Sequence, residues 1–499
     1  MEDYFVILSL IVITLLTLYY YFTLNFDFWK IRGVPGPKPV IFFGNVKDWA
    51  TRKLSISQFV AKIYNEYKHE PVFGIFQRYT PVLIVNDLNL IKDVLIRDFS
   101  VFAGRGLYIF KKAEPLSEHL FQLEPERWRP IRSKLSPVFT SGRLKEMFPL
   151  IIECAEHLEE YLDKTVKNGE PIECREVAAR FTTDVIGSCA FGMNMNSFKD
   201  ENNIFRLMGR KVFHTCAQQE VRDVCREFMP YLYDTVGHTL QPTGVYKFFT
   251  DTIVDAINYR IENNVFRPDF VHMLKHLKQH PDELENIELT DSLLTSQAYI
   301  FFLAGFETSS STMGFALYEL AQNHHIQEKL RAEIREHSPE NSQLTYKQVK
   351  GMKYLEMVFR ETLRKYSILP VLIRQAAEDY TFRGTKITIP KNTSVWIPIY
   401  PLQNDPDIYP DPDKFDPERF TDEAIAKRHP MSFLSFGDGP RNCIGARFAH
   451  YQSKIGLITF LRNHKVDICE KTTIPFETVK QLFLLTIKEG VHLSVTKAP

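Results

Sequence analysis

The sequence predicts a mainly α-helical protein with a minor β component, preceded by a single N-terminal transmembrane helix. Helical hydrophobic patterns dominate residues 115–370, and an uncharged apolar run opens the chain. Runs with a strand-like composition are few and short. A length of 499 residues suggests about three domains. However, residues 50–499 contain no low-complexity linker, repeat or long charge block, so we expect one large domain there.

The N-terminal run covers residues 4–24, which carry no charged side chain. A helix of this length spans roughly 30 Å, the thickness of a bilayer's hydrocarbon core. The alternative, a cleaved signal peptide, needs a basic start, whereas Glu2 and Asp3 are acidic. Because the first basic residues, Lys30 and Arg32, follow the run, we expect the rest of the chain on the cytosolic side.

Residues 1–29 are therefore predicted to form a membrane anchor, and residues 30–49 a basic, proline-rich hinge before the domain at residues 50–499. The prolines at positions 35, 37 and 39 exclude a helix and favour a stiff, extended segment. Trp29 and the tyrosines at positions 19–21 are suited to a membrane interface.

Hydrophobic spacing predicts the main elements of the large domain. Helices are expected at residues 144–166, 248–262 and 292–322, strands at 81–85 and 385–389, and an ordered coil at 390–441.

The composition excludes several classes of protein. The 61 basic and 61 acidic side chains balance, so no nucleic-acid partner is expected. A hydrophobic content of 44% with 13% aromatic residues excludes intrinsic disorder. The seven cysteines are odd in number and form no C-x-x-C pair, which favours buried thiols in a reducing compartment over a disulfide framework.

The sharpest motif is the segment FGDGPRNCIG at residues 436–445, in which Cys443 precedes a helical pattern. Its glycines permit close backbone approach, and the following helix N-terminus favours a thiolate with a lowered pKa. The segment is not a Walker phosphate loop, because it contains no G-K-S/T. It is not a dinucleotide-binding loop either, because Asn442 stands where the third glycine of that motif should be. The remaining interpretation is an axial thiolate ligand to haem iron.

This segment resembles the F-x-x-G-x-R-x-C-x-G motif of the cytochrome P-450 haem-thiolate monooxygenases, with Phe436, Arg441, Cys443 and Gly445 in place. The resemblance implies the fold of that family, haem b as cofactor, and insertion of one oxygen atom from O2 into lipophilic small molecules. It also implies electrons from NADPH through cytochrome P-450 reductase, with cytochrome b5 as a possible second donor, at the endoplasmic reticulum membrane.

Three further motifs resemble those of the family. In the segment at residues 361–364, Glu361 and Arg364 can pair at i, i+3 on one helix face. A solvated surface pair is the alternative, whereas the resemblance implies a buried network with Arg419 that supports the haem ligand.

In the segment AGFET, the resemblance places Ala304 and Gly305 against the distal haem face, where a larger side chain would block oxygen. A glycine inside a helix costs about 1 kcal/mol, which itself suggests a packing or functional reason. The Thr308 hydroxyl can bond backbone or water, and Glu307 would supply protons. An ordinary core helix with two polar residues is the alternative.

The resemblance also implies donors to the haem propionates, cations being suited to a buried dianion. These are Trp128 and Arg132 of the segment WRPIR, Arg441, and by weaker alignment Arg105 and Arg374.

An aromatic, uncharged pocket is implied for lipophilic substrates. Its candidate residues are Phe110, Phe121, Phe301, Phe302, Leu369, Val371 and Phe483. The segments at residues 267–270 and 361–366 resemble the insect microsomal branch that handles plant toxins and insecticides. Hormone or pheromone metabolism stays open as the alternative. A haem-thiolate isomerase is disfavoured because it would not need the acid–alcohol pair of Glu307 and Thr308, and a haem carrier or gas sensor because the sequence indicates neither a second axial ligand nor a regulatory domain. Ser367 and Gln403 depart from the residues common in that branch, and neither is expected to touch the chemistry.

Two weaker patterns remain. His272, His276 and His280 share one helix stripe, for which a solvated face is favoured over a metal site because the stripe carries no acidic ligand. Basic residues near the cysteine and tryptophan motifs could meet an acidic electron donor. They are Arg129, Lys134, Lys145, Arg441 and Arg447.

Overall fold

The computed structural model describes residues 2–167, 169–200, 202–213, 217–241, 244–267, 269–284, 286–339 and 343–498. Within these ranges the chain is mainly helical, as the sequence predicts. The α-helices are α1 Glu2–Thr23, α2 Phe28–Ile31, α3 Lys47–Ala50, α4 Ile56–Tyr67, α5 Leu88–Lys92, α6 Pro125–Leu135, α7 Ser141–Val166, α8 Cys174–Ile186, α9 Ile204–Phe213, α10 Ala217–Phe228, α11 Pro230–Val236, α12 Val245–Glu262, α13 Phe270–Gln279, α14 Asp291–Gln322, α15 His324–His337, α16 Tyr346–Gly351, α17 Lys353–Lys365, α18 Ile399–Gln403, α19 Asp422–Ala426 and α20 Ala446–Arg462.

The strands form three small sheets. They are β1 Val72–Gln77, β2 Thr80–Val85, β3 Ile172–Glu173, β4 Leu372–Gln375, β5 Tyr380–Thr381, β6 Thr388–Ile389, β7 Ser394–Ile397, β8 His464–Asp467 and β9 His492–Lys497. The largest sheet has the order β1-β2-β7-β4, in which β7 pairs parallel with β2 and antiparallel with β4. The other sheets have the orders β3-β9-β8 and β5-β6.

Strand β7 lies inside residues 390–441, for which the sequence predicted only coil. Its side chains are largely buried, and it is central in the sheet because it pairs with β2 on one side and β4 on the other. Such a short strand is specified by its distant partners, so local composition does not reveal it.

Helix α14 runs through the main hydrophobic core and packs against α8, α12, α17 and α20. Its N-terminus is capped by Thr290, whose side chain accepts a hydrogen bond from the Leu293 N–H. The predicted helices at residues 144–166, 248–262 and 292–322 correspond to α7, α12 and α14. Helix α20, which follows the cysteine segment, packs on α14, where the Gln452 side chain donates to the Gly305 carbonyl at 3.1 Å.

Helix α1 is long and apolar enough to cross a membrane, and its large hydrophobic side chains are almost all exposed. The segment that follows is not a free hinge, and the expectation that Trp29 lies at a membrane interface is wrong. Trp29 is 3% exposed and donates its indole N–H to the Ile75 carbonyl at 2.9 Å. The Pro35 carbonyl accepts from the Gly74 N–H at 2.8 Å, so the segment packs on β1.

Six cysteines in the described ranges are free thiols, whereas Cys216 lies outside the described residues. Cys154, Cys174 and Cys189 are buried, and burial raises the pKa of each thiol. These three are therefore inert core residues, as the sequence predicts.

Candidate functional site

The cysteine segment is a tight loop held by its own backbone. The Cys443 N–H donates to the Phe436 carbonyl at 2.8 Å, and α20 begins three residues later. Gly439 has φ +74°, and a Cβ at this position would lie 1.9 Å from the Leu95 carbonyl oxygen. Only glycine fits there, because the loop presses directly on the backbone of the π-helical turn Asp93–Arg97.

The Cys443 side chain is exposed, yet it lies deep enough in the protein that burial raises the pKa of its thiol. An accessible atom at such depth faces an internal space. The Gly445 N–H, Arg132 and Arg105 each lower the pKa, but burial outweighs them. The predicted lowered pKa is therefore wrong for the protein by itself, and a cation on the sulfur is needed to favour the thiolate.

Four arginines converge on the same region as Cys443. Burial and mutual repulsion with the other three lower the pKa of Arg105, and burial lowers the pKa of Arg132. Burial lowers the pKa of Arg374 to about 10, and burial with the nearby arginines lowers that of Arg441 to about 9. Within the described part of the chain, none of the four forms an ion pair with a carboxylate.

This cation cluster lacks the anions that buried charges require. Arg374 and Arg441 are 1% and 2% exposed, and the Nε atom of each is buried without a hydrogen-bond partner. A buried charge without a counter-charge destabilises the folded state by roughly several kcal/mol. The donor set therefore fits a buried dianion such as the two propionates of haem, next to a thiol suited to its iron.

The partners of Arg441 come from two different segments. Its guanidinium donates to the Ala103 and Leu123 carbonyls and lies 4.8 Å from the ring centroid of Trp128. Trp128 itself is buried in α6. Trp128 and Arg441, each predicted as a propionate donor, are thus in direct contact.

Two other arginines are oriented by neighbours. Arg132 of α6 donates to both the carbonyl and the side-chain oxygen of Asn442, each at 3.0 Å. Arg105 donates to the Phe121 carbonyl at 2.6 Å, and its guanidinium lies 4.1 Å from the ring centroid of Phe121. Arg132 therefore ties α6 to the residue next to Cys443.

The middle of α14 presents Ala304 and Thr308 on one face. Ala304 is exposed and Thr308 half-buried, although α14 is a core helix, so this face also borders internal space. The Thr308 hydroxyl donates to the Ala304 carbonyl at 2.6 Å. Gly305 faces elsewhere, because a Cβ there would lie 2.4 Å from Ile186 Cδ1 of α8. The glycine thus has a packing reason, one of the two that the sequence suggested, and the structure identifies Ile186 as the neighbour.

Glu307 is directed away from the Thr308 face. It is 3% exposed and forms an ion pair with Arg175 of α8. Burial lowers the pKa of Arg175, but Glu307 offsets this and the pKa is raised overall. Sequence reasoning missed Arg175, since nothing near position 175 indicates that α8 crosses α14 at this turn.

Glu361 and Arg364 are both 0% exposed and make a two-pronged pair at 2.7 and 3.0 Å. Arg419 Nε lies 3.4 Å from Glu361 Oε1. Burial raises the pKa of Glu361 more than the arginines lower it. Such a network is a geometric constraint more than a source of stability.

The sequence of this chain is similar to the sequences of known insect enzymes. The Cytochrome P450 family model matches residues 34–494. The chain belongs to the cytochrome P450 family. It is 40% identical over 483 residues to cytochrome P450 6A1 of Musca domestica, covering 95% of both chains. It is 42% identical over 480 residues to probable cytochrome P450 6a13 of Drosophila melanogaster, covering 96% of both, and 39% identical over 505 residues to cytochrome P450 6a2 of that species, covering 99% and 100%.

The chain is thus a P450 monooxygenase of the insect family 6 type, and the family implies a haem cofactor, O2 and electrons from a reductase. The predicted fold class is confirmed by the same match and by the helical architecture.

The predicted substrate residues of this P450 do not share one environment. Phe110, Phe302 and Val371 are 2%, 0% and 2% exposed, so they pack in the core and line no accessible space. Phe302 lies about 100° round the helix from Phe301 and contacts the Phe205 and Phe249 rings. The partly exposed members are Phe121, Phe301, Leu369 and Phe483.

The expectation that neither Ser367 nor Gln403 touches the chemistry stays a prediction, but Gln403 contacts the segment that leads into the cysteine loop. Gln403 is 1% exposed and its Nε2 donates to the Ser367 hydroxyl at 2.7 Å. Its Oε1 accepts from the Leu434 N–H at 2.7 Å, immediately before the cysteine loop. The two unusual residues of this P450 therefore contact one another, and Gln403 also contacts the segment that leads into the loop that carries Cys443.

The predicted basic surface loses one member. Arg441 is 2% exposed, so it cannot meet a partner protein. Arg129, Lys145 and Arg447 are exposed, and Lys134 is ion-paired with Glu283 at 2.8 Å.

Proposed function

We propose that Cys443 is the axial ligand of haem b, and that Arg105, Arg132, Arg374 and Arg441 hold its propionates together with Trp128. The observation that carries this proposal is the cluster of four arginines without carboxylate partners, two of them buried, around an accessible, deep thiol. When bound, haem supplies the activation of dioxygen that is typical of the family. Phe436 and Gly445 shape the loop, and the Gly445 N–H stabilises the Cys443 sulfur as an anion.

We assign proton supply to the turn of α14 that faces the internal space. Thr308 holds its hydroxyl on the Ala304 carbonyl, where it can rotate to bond a water or substrate oxygen. Ala304 keeps the adjacent face small, which leaves room for a diatomic ligand. Glu307 can deliver a proton to this face only after it leaves Arg175, because its carboxylate is buried and paired with the Arg175 guanidinium.

Glu361, Arg364 and Arg419 would support the site from behind. Arg364 also donates to the Gln403 carbonyl at 2.9 Å and to the Pro412 carbonyl at 2.7 Å. The network thus fixes α17 to the segments that lead to the cysteine loop, and its role is positioning.

The substrates that we propose are lipophilic xenobiotics such as plant toxins or insecticides. The partly exposed, uncharged residues Phe121, Phe301, Leu369 and Phe483 support apolar substrates but do not separate foreign compounds from hormones or pheromones. Endogenous hormone or pheromone metabolism is the alternative. Similarity to insect family 6 enzymes supports the same reaction class for either role.

We further propose that α1 anchors the protein in the endoplasmic reticulum membrane, with residues 50–499 in the cytosol. Electrons would come from NADPH through cytochrome P450 reductase, with cytochrome b5 as an optional donor. The exposed cations Arg129, Lys145 and Arg447 support docking of an acidic partner.

The decisive experiment reconstitutes the full chain with haem, reductase and NADPH in lipid vesicles and supplies a probe ether. Product that requires both NADPH and O2 supports the monooxygenase. Rearrangement of an organic peroxide as the only turnover, with no product that depends on NADPH and O2, contradicts it. Type I spectral titrations with a panel of plant toxins, insecticides and insect hormones then test the substrate class. Tight binding of one hormone over all foreign compounds would replace the xenobiotic role.

Variants of the α14 turn test the proton path. We expect Arg175→Leu to release the Glu307 carboxylate from its ion pair. We expect Glu307→Gln to slow product formation while the carbonyl-difference spectrum stays that of a thiolate-ligated haem. A solvent isotope effect that is unchanged in Glu307→Gln would exclude Glu307 from proton delivery.

A further inference from the structure

The histidine stripe of α13 is not a uniform solvated face. His272 is turned towards Phe266, with ring centroids 4.8 Å apart, and its Nδ1 is buried without a hydrogen-bond partner. His276 and His280 stack on one another instead, with ring centroids 4.3 Å apart and planes at 29°. The stripe therefore divides into one packed histidine and an accessible pair.

Glu283 supplies the acidic group that the stripe itself lacks. It lies on the short 3-10 helix Pro281–Leu284, which follows the end of α13 and turns back towards the histidine pair. Its Oε1 is 2.8 Å from His276 Nε2. The ligand atoms of His276, His280 and Glu283 all lie within 4.8 Å of one another.

The hydrogen bonds around these three side chains set what a cation has to displace. His276 Nε2 donates to Glu283 Oε1, which can only accept, so a cation bound between them takes the place of the Nε2 proton. His280 Nδ1 is 3.0 Å from the His276 carbonyl oxygen, which can only accept, so Nδ1 carries the proton and Nε2 is free. Lys134 of α6 donates to Glu283 Oε2 at 2.8 Å, so the other carboxylate oxygen stays directed at the histidines. Hydrogen bonds that fix a histidine tautomer and a carboxylate in this way are typical of metal sites.

We propose that His276, His280 and Glu283 bind a borderline divalent transition-metal cation, best matched by Zn²⁺, with water as the fourth ligand. Two imidazoles and one carboxylate form a common zinc ligand set, in which neighbouring ligand atoms lie roughly 3.4 Å apart. The upper limit of 4.8 Å on the present separations exceeds that spacing by about 1.4 Å, and rotation of the exposed His280 side chain can close such a gap while Lys134 holds Glu283 in place. The site uses no residue of the candidate haem site.

The test measures Zn²⁺ bound to the full-length holoenzyme, free of any polyhistidine tag, by equilibrium dialysis against micromolar Zn²⁺. We expect His276→Ala, His280→Ala and Glu283→Gln each to weaken binding at the tightest site by at least about tenfold. His272→Ala is the matched control from the same stripe and should bind Zn²⁺ as the unaltered protein does.

Each variant is compared at equal haem content and equal carbonyl-difference spectrum, so that loss of fold is not mistaken for loss of a ligand. Zn²⁺ affinity that is unchanged in both His276→Ala and His280→Ala overturns the proposal. An equal loss in His272→Ala overturns it too, because the effect would then belong to α13 as a whole and not to the three ligands.

Discussion

Replacing Gln403 with leucine tests whether this buried amide positions the cysteine loop. Gln403 Oε1 accepts from the Leu434 N–H at 2.7 Å, and the Leu434 carbonyl in turn accepts from the Gly437 N–H at 2.8 Å. The Leu434 peptide is thus held on both sides, two residues before Phe436, whose carbonyl accepts from the Cys443 N–H. A change at position 403 therefore reaches the haem ligand through three consecutive hydrogen bonds.

The magnitude follows from the groups that lose partners. Leucine is close to glutamine in size, so little cavity forms, but the buried Leu434 N–H loses its acceptor, which costs about 1–3 kcal/mol. The Ser367 hydroxyl loses its 2.7 Å partner and keeps only contacts at 3.5 Å. We expect Gln403→Leu to destabilise the protein by about 2–5 kcal/mol in total, measured by urea unfolding.

Gln327 of α15 is the matched control, because it is 2% exposed and makes three comparable hydrogen bonds, one with Leu320 of α14 and two with Val466 of β8. Gln327→Leu should lower the free energy of unfolding to a similar extent. Only Gln403→Leu should increase the fraction of haem whose carbonyl complex has lost the thiolate signature. Equal thiolate fractions in the two variants, at matched stability, would refute the positioning role of Gln403.

Three further substitutions test the site. Arg441→Leu should speed haem transfer to excess apomyoglobin by about 10-fold or more, because a charge-assisted hydrogen bond to the haem is lost. Arg129→Leu, at an exposed position, should leave the rate of haem transfer unchanged. Equal transfer rates in the two variants would contradict the propionate role of Arg441. Thr308→Ala should keep the thiolate carbonyl spectrum but divert NADPH to peroxide, and coupling equal to that of the unaltered enzyme would contradict this. Gly305→Ala should lower the yield of haem-loaded protein because its Cβ meets Ile186 Cδ1 at 2.4 Å. Adding Ile186→Val removes that atom and should restore the yield. A yield that stays low in the double variant would count against the packing explanation.

Much of the fold was predictable because its signals are local. The spacing of apolar residues along residues 292–322 predicts α14, and the uncharged run at residues 4–24 predicts α1. The motif around Cys443 was equally readable, since the chemistry of a thiol in a glycine-rich loop before a helix depends on consecutive residues. Strand β7 was not, because its place between β2 and β4 depends on residues far away in the chain.

The charges show the same limit. Glu307 is visible in the sequence as a possible proton donor, but its partner Arg175 is 132 positions away and meets it only where α8 packs on α14. Likewise, Trp29 has the composition of an interfacial residue, and burial on β1 became apparent only from the docking of the following proline segment.

The helical class, the apolar N-terminal helix and the family motifs could be predicted from the sequence by itself, because each depends on residues that lie close together in the chain. Tertiary structure alone decided which arginines are buried without carboxylates, which aromatic residues are core, and that Ser367 meets Gln403. It also brought Glu283 to His276 and His280. The physical reason is that burial and pairing are properties of neighbours in space, and chain folding chooses those neighbours from distant parts of the sequence.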